Sequence, residues 1–241
     1  MWSEAPRIPR LDASVTESAA APPAPKEAAA VFGTGLALAE RYAGWLADAG
    51  IVRGLLGPRE AGRIWDRHLI NSALLASLVP EGASVADLGS GAGLPGIPLA
   101  LARPDLRVTL VEPLLRRATF LDEVVADLAT VDPSLSERLT VVRSRAEDLP
   151  QVKSQPRSKN QAELFDVVTS RALAPFDRLL TWSMPLVGRG GVVLALKGSS
   201  AQREVDEASK ALAKAGAMAD VLEVVDPAGS ITVVRVRRGS K

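Results

Sequence analysis

Cysteine is absent from the 241 residues, which removes disulfides, thiolate metal sites and thiol nucleophiles together and fits a reducing, cytoplasmic setting. The chain also lacks an apolar run long enough to cross a bilayer. Residues 1–30 are broken by prolines and acids where a secretory signal would have a basic start and an apolar stretch, so no membrane partner is expected. Nor does charge of one sign dominate. With 29 Lys and Arg against 28 Asp and Glu, the formal net charge is +1, and any surface for nucleic acid has to be a local patch. Nothing points to a metal. What is present is a 47% hydrophobic content, enough for a sizeable buried core.

Residues 1–30 are rich in Ala, Pro and Ser and read as a disordered tail. The remaining 31–241 read as one domain, expected to be monomeric, with a helical part over 31–80 and an α/β core over 81–238. In the helical part, Leu36, Leu38, Tyr42, Trp45 and Leu46 form one apolar stripe, and Ile64, Trp65, His68, Leu69, Leu74 and Leu75 form a second. Beyond Pro80 short apolar runs alternate with helical stretches, placing strands near 84–88, 107–111, 139–143, 164–169, 191–196, 220–225 and 231–236. Such alternation predicts a largely parallel sheet covered on both faces. Only Asp226 to Ser230 separate the last two strands, too few residues for a crossover helix, so these two should pair antiparallel. Residues 150–162 are polar and read as a surface loop.

The chemistry is concentrated in residues 85–113. A strand ends at Asp87 and Leu88, a turn carries Gly89, Gly91 and Gly93, and a helix follows with Pro95 in its first turn. Closely spaced glycines let the backbone approach a ligand where a Cβ would collide, and a helix start offers free N–H groups to an anion. The next strand ends in Glu112, whose carboxylate can accept from the hydroxyls of a ribose. Gly91, Gly93 and Gly96 also satisfy the dinucleotide pattern G-x-G-x-x-G, so a nicotinamide cofactor and an oxidoreductase stay open at this point. Asp87 at the strand tip suits a ligand that brings an ammonium group and would repel a pyrophosphate. The chain after residue 236 is also short for a further substrate domain.

The run LGSGAGLPGIPLALARPDL, with WDRHLINS before it and SRAED, SRA and ALKG after it, resembles the glucose-inhibited division protein B family over roughly residues 30–238. The resemblance implies a Rossmann-like class I methyltransferase sheet of seven strands, the last antiparallel, preceded by N-terminal helices. It implies methylation of guanine N7 in 16S ribosomal RNA from S-adenosylmethionine, with 16S RNA or the small ribosomal subunit as partner. By position it implies cofactor contacts from Gly89 and Leu94, from Ala146 and Glu147 beside the adenine, and from Arg171, with Asp87, Gly91, Gly93 and Glu112 in the same pocket. Two departures are visible: VRGLLGPREAGRIW stands where many members carry an Asn-Leu-Thr element, and the 150–162 loop is longer than usual.

Guanine N7 has no proton to lose, so such a reaction needs no general base. Arg171 and Lys197 are the candidate catalytic residues, Arg171 orienting the guanine or closing the cofactor site and Lys197 helping to hold RNA. Arg67, His68, Arg116 and Arg117 are candidate RNA contacts, each with an ordinary alternative: a packed or capping His68, and solvated arginines. Arg235, Arg237, Arg238 and Lys241 read as a solubilising terminus, Trp182 and Met184 as core. Methylation of a small molecule or a protein, and an assembly factor without catalysis, are the remaining alternatives.

Overall fold

Val85, Ala86, Asp87 and Leu88 are all buried, as both faces of a central parallel strand must be, and the rest of the fold is arranged about them. A computed structural model describes residues 20–149 and 164–239. The strands are β1 (Ser84–Leu88), β2 (Arg107–Val111), β3 (Leu139–Val142), β4 (Phe165–Arg171), β5 (Val187–Lys197), β6 (Ala217–Asp226) and β7 (Gly229–Arg238). They form one sheet in the order β3-β2-β1-β4-β5-β7-β6. Every pairing from β3 to β5 is parallel, and β7 runs antiparallel to both its neighbours. The order reverses between β1 and β4, so their carboxyl ends flank the crevice where open α/β sheets bind ligands.

Helices cover both faces. One side carries α1 (Lys26–Phe32), α2 (Leu36–Trp45), α3 (Asn71–Ala73), α4 (Gly96–Ala102), α5 (Leu115–Ala129) and the short α6 (Leu135–Arg138). The other carries α7 (Phe176–Ser183), α8 (Ala201–Glu207) and α9 (Ser209–Ala215). Between α2 and β1 the backbone winds through tight 3-10 and wider π-type turns, including Pro58–Arg63 and Ile64–Ile70. Glycine sets the closest approach: a Cβ on Gly35 would lie 2.2 Å from the Leu101 carbonyl oxygen, so α2 starts directly against the end of α4. None of the described helices is long and apolar enough to cross a membrane.

The expected strands are found, with changed bounds. β5 begins at Val187, not 191, because Gly188, Gly190 and Gly191 hide the strand pattern; Gly191 lies where a Cβ would be 2.7 Å from the Asp166 carbonyl oxygen. The link before β7 shortens to Pro227 and Ala228. Order starts earlier than the reading of residues 1–30 allowed: α1 begins at Lys26, Ala28 is buried, and the Trp65 indole donates to the Pro22 carbonyl at 2.8 Å. Small alanines offer little hydrophobicity but permit close packing against Trp65 and Phe32, whose rings meet edge to face. Residues 1–19 and the loop at 150–162 lie outside the described residues.

Candidate functional site

The glycine turn is tied to the tip of β2 from two directions. The N–H groups of Gly89 and Ser90 both donate to the Val111 carbonyl, and Gly91 N–H donates to Glu112 Oε2 at 3.0 Å. The other carboxylate oxygen of Glu112 accepts from Leu114 N–H at 3.0 Å. The buried Glu112 carboxylate is therefore the strut that holds the loop, with lone pairs left on each oxygen. Gly89 and Gly91 have φ of +67° and +59°, which side chains adopt only with strain. At Gly93 a Cβ would lie 2.4 Å from Ile97 Cδ1 and 2.8 Å from the Tyr42 hydroxyl.

Asp87 lies fully buried beneath this loop. Its Oδ2 accepts from Ser90 Oγ at 2.6 Å and from Gly96 N–H at 3.0 Å, while Oδ1 has no hydrogen-bond partner among the described residues. Burial pushes the carboxyl up to about 7, and the nearby Glu112 charge acts the same way against the two hydrogen bonds. An acid in this state favours a neighbouring cation or donor strongly.

Beside the loop a cleft of about 490 Å³ is lined by Gly89, Leu114, Ala146, Glu147, Leu173 and Arg178. Ala146 is buried and Glu147 exposed, so the block after β3 presents a small apolar contact next to a carboxylate. The Leu173 side chain lies over Gly89, in the space a Cβ there would need. Leu94, next to Gly93 in the chain, is buried and is not among the residues lining this cleft.

Arg171 closes β4, and the next residue, Ala172, has φ +51°, a left-handed conformation rare for a residue with a side chain. The guanidinium donates from Nη2 to His68 Nδ1 at 3.0 Å and from Nη1 to Ser72 Oγ at 3.4 Å. His68 is 5% exposed, and its Nε2 stands 2.7 Å from Glu60 Oε2. Of the two roles left open for this histidine, the packed one describes its position. Burial, then the Arg171 charge, lower the imidazole from its ordinary value, while Glu60 raises it.

Arg171, Arg67, Asn71, Lys197, Ser230 and Thr232 share a second cleft of about 470 Å³. Lys197 donates to Glu204 Oε2 at 2.7 Å and stands over the Phe176 ring, so its charge is engaged. A third hollow of about 610 Å³ lies on the far side of that ion pair, between the Ala172–Asp177 segment and α8. Arg116 and Arg117 are exposed at the start of α5 and line none of these clefts. Arg235 and Arg237 are paired with Asp220 across the β6–β7 hairpin, Arg238 donates to the Met184 carbonyl, and Lys241 lies outside the described residues. Met184 is buried and Trp182 partly so, beside the first cleft. The described residues hold no group of three potential metal ligands.

Sequence reasoning did not single out Glu60, Ser90 or Leu173, and it read Tyr42 only as one member of an apolar stripe. The Tyr42 hydroxyl donates to Ala92 O at 2.6 Å, bracing the turn from the N-terminal side. Ser90, three residues after Asp87, had a local signal as a hydroxyl within reach of a buried acid. Glu60 and Leu173 had none, because their partners come from other elements.

The GidB family model, described as rRNA small subunit methyltransferase G, matches residues 36–229. The chain is 52% identical over 230 residues to "Ribosomal RNA small subunit methyltransferase G" of Streptomyces avermitilis, covering 93% of this chain and 90% of that protein. It is 54% identical over 218 residues to the protein of the same description from Nocardioides sp., covering 90% and 81%. Among solved structures it is similar to an O-methyltransferase from Bacillus cereus in complex with SAH, with TM-score 0.54, 17% identity, and 83% and 90% of the two chains covered. An O-methyltransferase from Streptomyces achromogenes in complex with SAM gives TM-score 0.52 at 17% identity, covering 84% and 90%. These two show the fold, a class I methyltransferase sheet.

Proposed function

The chain belongs to the rRNA small subunit methyltransferase G family, and from that premise we propose that it transfers a methyl group from S-adenosylmethionine to N7 of a guanine in 16S ribosomal RNA. The observation that carries the cofactor half is the buried Asp87, with one unpartnered oxygen, under a glycine turn that Glu112 holds in place. These residues suit a ligand that is cationic at one end and carries a ribose. Gly89, Gly91 and Gly93 give the turn, Glu112 has lone pairs for ribose hydroxyls, and Ala146 and Glu147 flank the cleft where an adenine would lie. Leu94 is buried at the same turn.

When bound, the cofactor supplies a methyl group activated on a sulfonium. What remains for the protein is alignment and exclusion of water, which can lower a barrier by on the order of 7–11 kcal/mol. Guanine N7 carries a free lone pair and no proton, so accepting the methyl group would require no proton transfer from the protein's residues. No side chain has to act as a base, consistent with Lys197 being held by Glu204. In this reading Arg171, which lines the second cleft, orients the base: its planar donors suit guanine O6 or a flanking phosphate. Arg67 lines the same cleft but is paired with Glu60, so the further charge for the RNA backbone comes from the exposed Arg116 and Arg117.

The direct test is mass-spectrometric mapping of 7-methylguanosine in 16S RNA from cells with and without the gene. One modified guanine should lose its methyl group on deletion and regain it with the intact gene but not with Arg171→Ala. An unchanged map on deletion overturns the substrate. Calorimetry that shows binding of a nicotinamide dinucleotide and none of S-adenosylmethionine overturns the cofactor.

A further inference from the structure

We propose that Glu60 and His68 form a relay that positions Arg171: Glu60 selects the imidazole tautomer, and the imidazole lone pair then holds the guanidinium without neutralising it. This deepens the reading of Arg171 given above and rests on it. A guanidinium has donors and no acceptor. With Arg171 Nη2 3.0 Å from His68 Nδ1, that ring nitrogen must accept, so the ring proton sits on Nε2 and is donated to Glu60 Oε2 at 2.7 Å. Every polar atom of the ring has one partner of the correct sense.

Arg171 is partly buried, yet no carboxylate of the described residues lies against its guanidinium. Among the described residues, Arg41, Arg53, Arg67, Arg103 and Arg138 each form an ion pair with an acid, and Lys197 does so on the same cleft. Arg171, partly buried, has instead a neutral ring and the Ser72 hydroxyl. A carboxylate in direct contact would fix the guanidinium but spend its charge. The interposed imidazole transmits orientation from Glu60 and leaves the positive charge facing the cleft, where guanine O6 or a phosphate would meet it. Glu60 comes from the turn Pro58–Arg63, His68 from the next turn and Arg171 from the tip of β4, so the relay also couples the N-terminal helices to the sheet.

The relay works only with a neutral ring. A proton on Nδ1 would set two donors, both cationic, 3.0 Å apart, and the guanidinium would have to leave. The charged groups acting on His68 are Glu60, Arg67 on its own turn, and Arg171; together with burial they hold it below 6.5, so the neutral form is present at pH 7 and acid should disable the site.

The test measures kcat and KM between pH 5 and 8 with the full chain, S-adenosylmethionine and small-subunit particles lacking the modification. Wild type should show kcat falling about tenfold per pH unit below the pKa of the ring. His68→Phe should lose at least about tenfold in kcat with little change in KM for S-adenosylmethionine, a loss of the size of one charge-assisted hydrogen bond. His68→Asn, whose Oδ1 can stand near the Nδ1 position, should recover most of that loss and have no acid limb. Glu60→Gln keeps an acceptor for Nε2 and should shift the acid limb to lower pH. Equal melting temperatures would separate these effects from misfolding. An unchanged acid limb in His68→Asn, or wild-type kcat in His68→Phe, overturns the relay. If Arg171→Ala also retains wild-type kcat, the reading of Arg171 itself fails; if that variant is inactive, only the relay does.

Discussion

At the scale of single residues, two positions carry cost that the rest of the fold must offset. Asp87 is buried with its carboxyl at about 7, well above the 3.8 of an exposed aspartate, so folding favours its neutral form. A raised folded-state value means its contribution is fully present below about pH 4 and is lost as pH rises through 7, a change on the order of a few kcal/mol. Asp87→Asn removes that titration. Scanning calorimetry without ligand should find the variant's melting temperature gaining on wild type from pH 4 to 7 and holding level above; parallel curves would contradict it. Ala172 carries backbone strain at φ +51°. Ala172→Val, with a branched side chain in that conformation, should cost roughly 1–3 kcal/mol of stability in thermal melts. Ala172→Gly should melt at or above the wild-type temperature.

At the scale of elements, the site depends on how the N-terminal helices dock onto the sheet. Gly35 permits contact between the start of α2 and the end of α4, with the Leu101 carbonyl oxygen in the space its Cβ would need. Arg41 and Trp45 on α2 both donate to Asp127 on α5, fixing the same helix from its other side. Because a backbone carbonyl cannot swing aside as a side chain can, Gly35→Ala should act as overpacking and destabilise by about 1–3 kcal/mol. In a domain of this size that is about 2–4 °C in Tm per kcal/mol. The same displacement would carry His68 away from Arg171, so kcat should fall along with Tm. A variant that melts earlier yet keeps full kcat would show that docking and site geometry are independent.

At the scale of the whole molecule, a net charge of +1 leaves no global field to hold a polyanion. In the proposed reading, attraction comes from local cations such as Arg171 in the second cleft and the exposed Arg116 and Arg117 at the start of α5. Affinity for 16S RNA should therefore fall with salt along a shallow line, with a slope set by a few phosphate contacts at about 0.7–0.9 per contact. Filter binding from low to moderate salt measures it, and a slope near zero would remove RNA as the ligand. Much of this organisation was legible before any coordinates. Strand alternation predicted the sheet, the short link after Asp226 predicted the antiparallel end, and spacing put Asp87 at the end of β1 and Glu112 just past the end of the neighbouring β2, where they stand. The glycine-rich start of β5 and the alanine-rich α1 were not legible, since their ordering comes from close backbone contact and not from hydrophobic periodicity.

Local spacing thus determined the strand, the turn and the acid at each strand tip, because those features repeat within a few residues of the chain. Tertiary structure alone decided which partners the charged groups found. Lys197 met Glu204, Glu112 met the amide of Gly91, and Arg171 met His68 and through it Glu60. The reason is physical: a charge has no periodicity that reveals its partner, and its role is settled only when folding brings distant segments within a hydrogen bond of one another.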